Sequence, residues 1–446
     1  MDRPNEVDHG LVRGLGPWAA ASIVVGTIIG TGVFLKTSVM AQTGGSALWV
    51  LAAWGAAGLL SFTGALAYAE LGGLYPRAGG EYVYLREGYG SGVAYLYAWN
   101  RFWIGTPGSI AAYAVGTATF LGDALPFGGK PIAVALVIAF TAINCSNVRA
   151  GGGLQTALTA LKVLLIGGLA VGALGFARAG SWARFADPGR GFPGIAAFGA
   201  MVLAALWAYD GWNNLPMAAG EVRDGSRTVP RATVRGMLGV LAIYAIVNIG
   251  YFYALPFGDV VSPGDTSVAQ RAATEFLGPA AQLVLAAAMA ISAISAMHGS
   301  MLTGARVPYA VASDGLAPRA LARLGARSRV PVVSVLVQGA IACVYALIGG
   351  FNQLTDAVVI VSWMFYGLNA GTVMLLRQRR PDSPRTFRVP GYPVLPAAFI
   401  ALSLALLVDS AIVTPVICAL GVASTAIGAV VYFAVARRRA PAGSPR

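Results

Sequence analysis

About twelve apolar stretches run through this chain, each close to the roughly 20 residues that a helix needs to cross a bilayer. They fall at 17–41, 46–74, 92–121, 131–146, 154–177, 194–220, 234–255, 280–303, 331–349, 354–376, 394–412 and 413–436. So many stretches leave one fold class open, an all-α polytopic membrane protein. Composition agrees: 57% of residues are hydrophobic and 11% charged, against about 25% charged in a soluble domain. A membrane β-barrel would instead alternate over about ten residues per strand. No segment reads as a cleaved signal peptide, because Met1–Gly14 is polar.

Two of these stretches are interrupted. Gly26-Thr27-Ile28-Ile29-Gly30-Thr31-Gly32 breaks the first, and Ala208-Tyr209-Asp210-Gly211-Trp212 breaks the sixth. Backbone in lipid must satisfy its own hydrogen bonds, so a break is tolerated only where it lines a cavity or binds something. Glycines also serve close helix packing. Matched breaks in two halves, one carrying an acid, point instead to the substrate site of a secondary transporter. Five spans per half is odd, so the second half would be inverted relative to the first. The expected organisation is a cytoplasmic segment 1–16 and a core 17–392 with repeats 17–177 and 194–376. Two added spans at 393–436 and a basic tail at 437–446 complete it.

The net charge of +13 raises nucleic acid as a partner, but the distribution argues against it. Most basic residues fall on alternate loops, the positive-inside bias that sets topology. This places both termini in the cytoplasm. Lys36, Lys130, Arg178, Arg184, Arg190 and Arg271 fall outside, and the three arginines of 178–190 run against the rule. The loop 75–90 reads as polar and turn-rich. In the outer loop 256–279, Val268–Phe276 reads as a short helix ended by Gly278-Pro279, either a lid or a plain connector. The loops 304–330 and 377–393 read as solvated or headgroup-facing arginine connectors.

Broken helices expose N–H groups at one half-helix end and carbonyls at the other. An amino acid zwitterion matches both. Gly30-Thr31-Gly32 suits a carboxylate, with close backbone approach and a hydroxyl. Carbonyls near Ile29 and around Trp207–Tyr209 suit an ammonium. Lys162 is one of only three lysines and lies roughly 12 Å into its span. It is a built-in or titrating cation, or else a lysine snorkelling to the interface. Asp210 either meets the ammonium or a cationic side chain, or caps a helix. Ser292 and Ser295 face one way and can meet Lys162, or act as interhelical glue. Arg101, Glu70, Glu81 and Glu87 gather at one surface where gate salt bridges are possible. Trp363 and Tyr366 belong to a span expected to shape the pocket.

Cys145, Cys343 and Cys418 lie in spans and read as packing residues. His9 and His298 are too few for a metal cluster, and no nucleophile–base set sits in a span. No cofactor, metal or enzyme activity is expected.

These residues resemble the amino acid–polyamine–organocation superfamily, most closely the L-type amino acid transporter family, in a bacterial member. The resemblance covers nearly the whole chain. It rests on Ile29-Gly30-Thr31-Gly32-Val33-Phe34 and on Tyr209-Asp210-Gly211-Trp212-Asn213 with Gly220-Glu221 and Pro230-Arg231-Ala232. Tyr68-Ala69-Glu70-Leu71, Pro76…Gly79-Gly80-Glu81-Tyr82 and Arg306…Asp314-Gly315…Pro318 add to it.

The resemblance implies about twelve spans, a five-plus-five inverted repeat and alternating access. It also implies that Gly30, Thr31 and Gly32 hold the substrate carboxylate, and that Ile29, Trp207, Ala208 and Asp210 hold the ammonium. Tyr209 and Gly211 complete that segment, and Trp207 stands where the family has an aromatic gate. Lys162 resembles the lysine that takes the place of a sodium ion and links span 1 to a serine, here Ser295 or Ser292.

Sodium-independent exchange of neutral amino acids in the cell membrane is the expectation. Proton-coupled symport, cationic amino acid or polyamine transport, and nutrient sensing stand as alternatives. Two features depart from the family. The loop Gly122–Lys130 lacks the cysteine that bonds a heavy chain in animal members, so no such partner is expected. Gly105-Thr106-Pro107-Gly108 suggests a roomier pocket.

Overall fold

The structure is a computed structural model that describes residues 10–121, 129–263 and 267–436. The start before Gly10, residues 122–128 of the expected heavy-chain loop, and the basic tail lie outside the described residues. Among those described, the chain is helical. Its only β pairings are two isolated bridges, Leu15 with Val222 and Ala78 with Ala218.

The first interrupted span comprises α1 (Pro17–Ile28) and α2 (Gly32–Gly44), followed by α3 (Ala47–Leu74). Next come α4 (Glu81–Tyr89), α5 (Ser91–Asn100), a π turn at Arg101–Gly105, and α6 (Thr106–Leu121). α7 (Gly129–Asn144) and α8 (Val148–Phe176) precede the second interrupted span, α9 (Ile195–Ala208) and α10 (Asn214–Met217). α11 (Gly225–Ala254), α12 (Phe257–Val261), α13 (Val268–Leu277), α14 (Ala281–Gly304) and α15 (Arg306–Ser313) follow. The chain closes with α16 (Val332–Ile348), α17 (Phe351–Arg379), α18 (Val394–Val413) and α19 (Pro415–Val431). Eight helical stretches among the described residues are long and apolar enough to cross a membrane, and shorter apolar helices stand beside them. Their outward faces carry large apolar residues such as Leu164, Ile412 and Val430, as lipid-facing helices must.

Local chemistry explains several boundaries. Pro17 opens α1 at its first turn, where a missing N–H costs nothing. Asn147 and Ser267 cap α8 and α13 by accepting from Ala150 N and Gln270 N. Gly278, at φ 59°, ends α13. That helix covers the expected 268–276.

Four expectations need correction. The loop 75–90 contains α4, whose buried tyrosines anchor it despite its polar sequence. The connector 304–330 contains α15, and Arg306 at its start is fully buried rather than solvated. α8 begins before residue 154, which sets Lys162 near the middle of the helix. The third span is not a continuous α-helix, because the π turn shifts its register at Arg101–Gly105. An extra residue per turn is invisible to a hydrophobicity window. Arg184 also gains an account: its guanidinium donates to the carbonyls of Tyr253 and Ala179.

Of Arg101, Glu70, Glu81 and Glu87, the structure brings Arg101 and Glu81 together around one small pocket, while Glu70 and Glu87 pair elsewhere. Glu70 pairs with Arg377 at 2.6 Å and Arg385 at 3.1 Å. Glu81 accepts from Tyr68, and Glu87 pairs with Arg380 at 2.9 Å. Arg101 donates to Asn214 Oδ1 at 3.0 Å. The same end of the bundle holds Asp314 against Arg86 and Tyr82.

Candidate functional site

The two breaks meet in the core. After Ile28 the backbone of Ile29 turns extended, and α2 begins at Gly32. After Ala208 the chain turns through Tyr209–Asn213, with Gly211 at φ 122°, a conformation open in practice only to glycine. Contact here is backbone on backbone. A Cβ on Gly211 would lie 2.8 Å from the carbonyl of Thr27, and one on Gly32 would lie 2.5 Å from the Cβ of Ala208. Thr27 Oγ1 lies 2.9 Å from the Gly211 carbonyl and also donates within α1.

A small cavity of about 30 Å³ lies beside this junction. The first break contributes Ile28, Gly30 and Gly32, and the second contributes Trp207, Ala208 and Asp210. Ser109, Ala112 and Tyr113 of α6 and Thr355, Val358 and Val359 of α17 complete the wall. Among the described residues, the amides of Gly30, Thr31 and Gly32 donate no backbone hydrogen bond. Thr31 Oγ1 is buried without a partner. Unpaired donors at the N-terminus of a half-helix form an anion site.

Lys162 closes the other side of the first break. Its side chain is fully buried. Nζ donates to the carbonyls of Gly26 at 2.8 Å, Ser292 at 3.0 Å, and Ile29. An ammonium has three protons and no acceptor, so this set satisfies it. It also places a positive charge at the C-terminal end of α1, where the helix dipole is negative. Ser292 Oγ lies 3.0 Å from the carbonyls of both Ile29 and Gly30. Of the two candidate serines, Ser292 therefore joins Lys162. Ser295 instead accepts from Gln155 Nε2 at 3.5 Å. The Ile29 carbonyl, expected to face an ammonium, is already held by Lys162 and Ser292.

The residues of the second break divide. Asp210 lines the cavity, and its Oδ1 accepts from Tyr366 at 2.8 Å. Trp207 lines it too. Its indole packs edge-on against Phe351 with centroids 6.0 Å apart, and Lys36 Nζ sits 5.3 Å from the ring. Tyr209 turns away, buried against Trp54 and Tyr244. Gly211 serves the junction rather than the cavity lining. Tyr244, unremarked in the sequence, has its hydroxyl near both breaks, 3.0 Å from the Ala208 carbonyl and 3.3 Å from that of Ile28. Trp363 packs on Tyr366 and Phe399.

The α6 and α17 walls escaped the sequence reading. Ser109, Ala112 and Tyr113, like Thr355, Val358 and Val359, follow the three-and-four spacing of one helix face. That spacing defines a face but not its direction. Below the site, Arg306 and Glu221 form a two-point ion pair, Nε–Oε2 2.7 Å and Nη2–Oε1 3.0 Å, with both side chains fully buried. Among the described residues no group of three potential metal ligands occurs.

Two interrupted membrane helices facing each other across a central cavity define a multi-pass membrane transporter for a small solute. Residues 15–436 match the family described as amino acid permease, and the chain belongs to that family. It is 32% identical over 420 residues to the b(0,+)-type amino acid transporter 1 of Mus musculus, covering 91% of this chain and 84% of the relative. It is 30% identical over 438 residues to the serine/threonine exchanger SteT of Bacillus subtilis, covering 97% and 99%. The large neutral amino acids transporter small subunit 2 of Mus musculus is 28% identical, covering 95% and 81%. The family and these relatives are transporters, not enzymes.

Proposed function

We propose that this protein exchanges neutral amino acids across the cell membrane by alternating access, without sodium. The observation that carries the reading is the anion site of the first break. Gly30 and Gly32, whose amides donate no backbone hydrogen bond, line a cavity that Asp210 and Trp207 face from the second break, and the buried, unpartnered hydroxyl of Thr31 lies between them in the chain, outside the lining itself. A carboxylate on those amides leaves the substrate ammonium toward Asp210 and the carbonyl side of Trp207 and Ala208, where the Ala208 carbonyl already accepts from Tyr244 and offers only its second lone pair. Trp207 acts as the aromatic gate. Sodium independence follows from Lys162, whose ammonium already holds the carbonyls that a cation would need. The printed names of the relatives, an exchanger among them, support the same reading.

The architecture proposed with it is an inverted repeat of 17–177 and 194–376, with two added helices at 393–436 and both termini cytoplasmic. No disulfide-linked heavy chain is involved. Cys343 and Cys418 lie within helices, and Cys145 follows α7. A second reading, preference for a cationic substrate, is favoured by the carboxylate of Asp210 at the cavity wall.

The test is uptake of labelled amino acids into sodium-free proteoliposomes with equal pH on both sides. Exchange predicts uptake that rises with internal amino acid. Uptake that needs an imposed proton gradient, or binding without flux, would overturn it. Competition by neutral against cationic amino acids, repeated in Asp210→Asn, separates the two substrate readings.

A further inference from the structure

A second concave site lies on the flank of the bundle, between α5 with its π turn and α15 with α16. It is a groove of about 550 Å³, within the roughly 300–1,000 Å³ of pockets that take lipophilic ligands. Tyr95, Trp99 and Trp103 line one wall, and Leu316, Leu321 and Val337 line the other. Trp103 remains 41% exposed. Aromatic rings of this kind mark the level where acyl chains meet headgroups.

The groove has a charged end. Pro318, Ala320 and Leu321 are lining residues, and Arg319, between them in sequence, is exposed beside the lining rather than part of it. Arg319, Arg323, Arg327 and Arg329 are all exposed. Among the described residues none of the four has an acidic partner. At the same end Arg86, Arg306, Arg377, Arg380 and Arg385 are paired with acids, while Arg227, Arg231 and Arg235, which line a separate groove with Thr386 and Phe387, have no acidic partner among the described residues. Exposed positive charge on the segment that supplies Pro318, Ala320 and Leu321 to an apolar groove complements an anionic amphiphile.

We infer that this groove binds an anionic phospholipid of the surrounding bilayer, with an acyl chain against Trp99 and Trp103 and its phosphate at Arg319 and Arg323. Arginine suits the phosphate through its paired donors. The position matters for the rest of the molecule. The π turn that contributes Trp103 also carries Arg101, which holds Asn214 of α10. The helix α15 that contributes Pro308 and Val311 also carries Arg306, which holds Glu221. A lipid seated between them braces two elements that reach the second break. The inference requires only that the chain sits in a membrane.

The experiment uses the full chain reconstituted in phosphatidylcholine vesicles. A small fraction of the lipid is either phosphatidylglycerol or phosphatidylcholine with brominated acyl chains, and tryptophan quenching is measured. Brominated phosphatidylglycerol should quench at lower mole fraction, with a preference of roughly fivefold per arginine engaged. Trp99→Phe/Trp103→Phe should remove that preferential component. Arg319→Gln/Arg323→Gln should abolish the preference, while Arg319→Lys/Arg323→Lys should retain part of it. Equal quenching by both headgroups would mean an ordinary aromatic belt and would overturn the inference. So would a preference that survives either the tryptophan or the glutamine substitutions.

Discussion

The hydroxyl of Tyr244 lies 3.0 Å from the carbonyl oxygen of Ala208, the last residue before the second break. The Ile28 carbonyl, at the matching end of the first break, is 3.3 Å from that tyrosine hydroxyl. One side chain from α11 thus ties together two half-helix ends whose last carbonyls have no helical partner. Tyr244→Phe removes this link without changing the packing of the ring. The expected loss is about 1 kcal/mol of stability, read as a lower thermal unfolding midpoint in detergent, with an accompanying fall in exchange rate.

Lys162→Ala should reduce uptake to below about one-tenth of wild type while leaving expression intact, because it removes the cation that binds the Gly26, Ile29 and Ser292 carbonyls together, although Ile29 keeps its bond to the Ser292 hydroxyl. Lys162→Arg should not restore transport. A planar guanidinium cannot converge three donors on Gly26, Ile29 and Ser292 as an ammonium does. Proteoliposome uptake, with the amount of folded protein quantified by gel filtration, checks both. Normal transport in Lys162→Ala would remove this role.

The Glu221–Arg306 pair predicts non-additivity. Glu221→Gln and Arg306→Met should each destabilise by roughly 3–5 kcal/mol, since each strands a buried polar group. The double variant should lose less than the sum of the two. A thermal-unfolding double-mutant cycle measures this, and strict additivity would mean that the two side chains act independently.

Glycines separate by what surrounds them. Gly32→Ala and Gly211→Ala force a Cβ against Ala208 and Thr27 and should abolish exchange. Gly167→Ala meets nothing within 4 Å and should leave exchange intact, with stability unchanged or raised by up to about 1 kcal/mol. Uptake and melting midpoints of the three variants decide it.

Ser295→Ala should cost less transport than Ser292→Ala, because Ser292 Oγ contacts the carbonyls of the first break and Ser295 contacts Gln155. Parallel uptake assays rank them, and equal losses would show that both serines serve the lysine.

Much of this protein was legible residue by residue. Apolar length announced the helices, and glycine runs marked both breaks. A lone lysine in an apolar span marked the residue that now closes the end of α1. What escaped notice depended on rotation and distance. Ser109 and Thr355 sit in ordinary helical patterns, and nothing local tells which face turns to the cavity. Tyr209 and Asp210 are neighbours in sequence, yet one packs into an aromatic cluster and the other borders the cavity. The three-residue spacing of Ser292 and Ser295 reads as one face, while the structure assigns them different partners. The π turn and the burial of Arg306 were equally hidden, since a register shift and a long-range acid at Glu221 leave no local trace.

The sequence by itself determined that this chain is a bundle of membrane helices interrupted within 26–32 and 208–212, because hydrophobic length and glycine content are properties of short segments. Only the tertiary structure decided which carbonyls Lys162 occupies, which serine joins it, and which amides are left free. Those outcomes rest on hydrogen bonds between residues more than 100 positions apart, and their strength depends on distances of a few tenths of an ångström that no local pattern encodes.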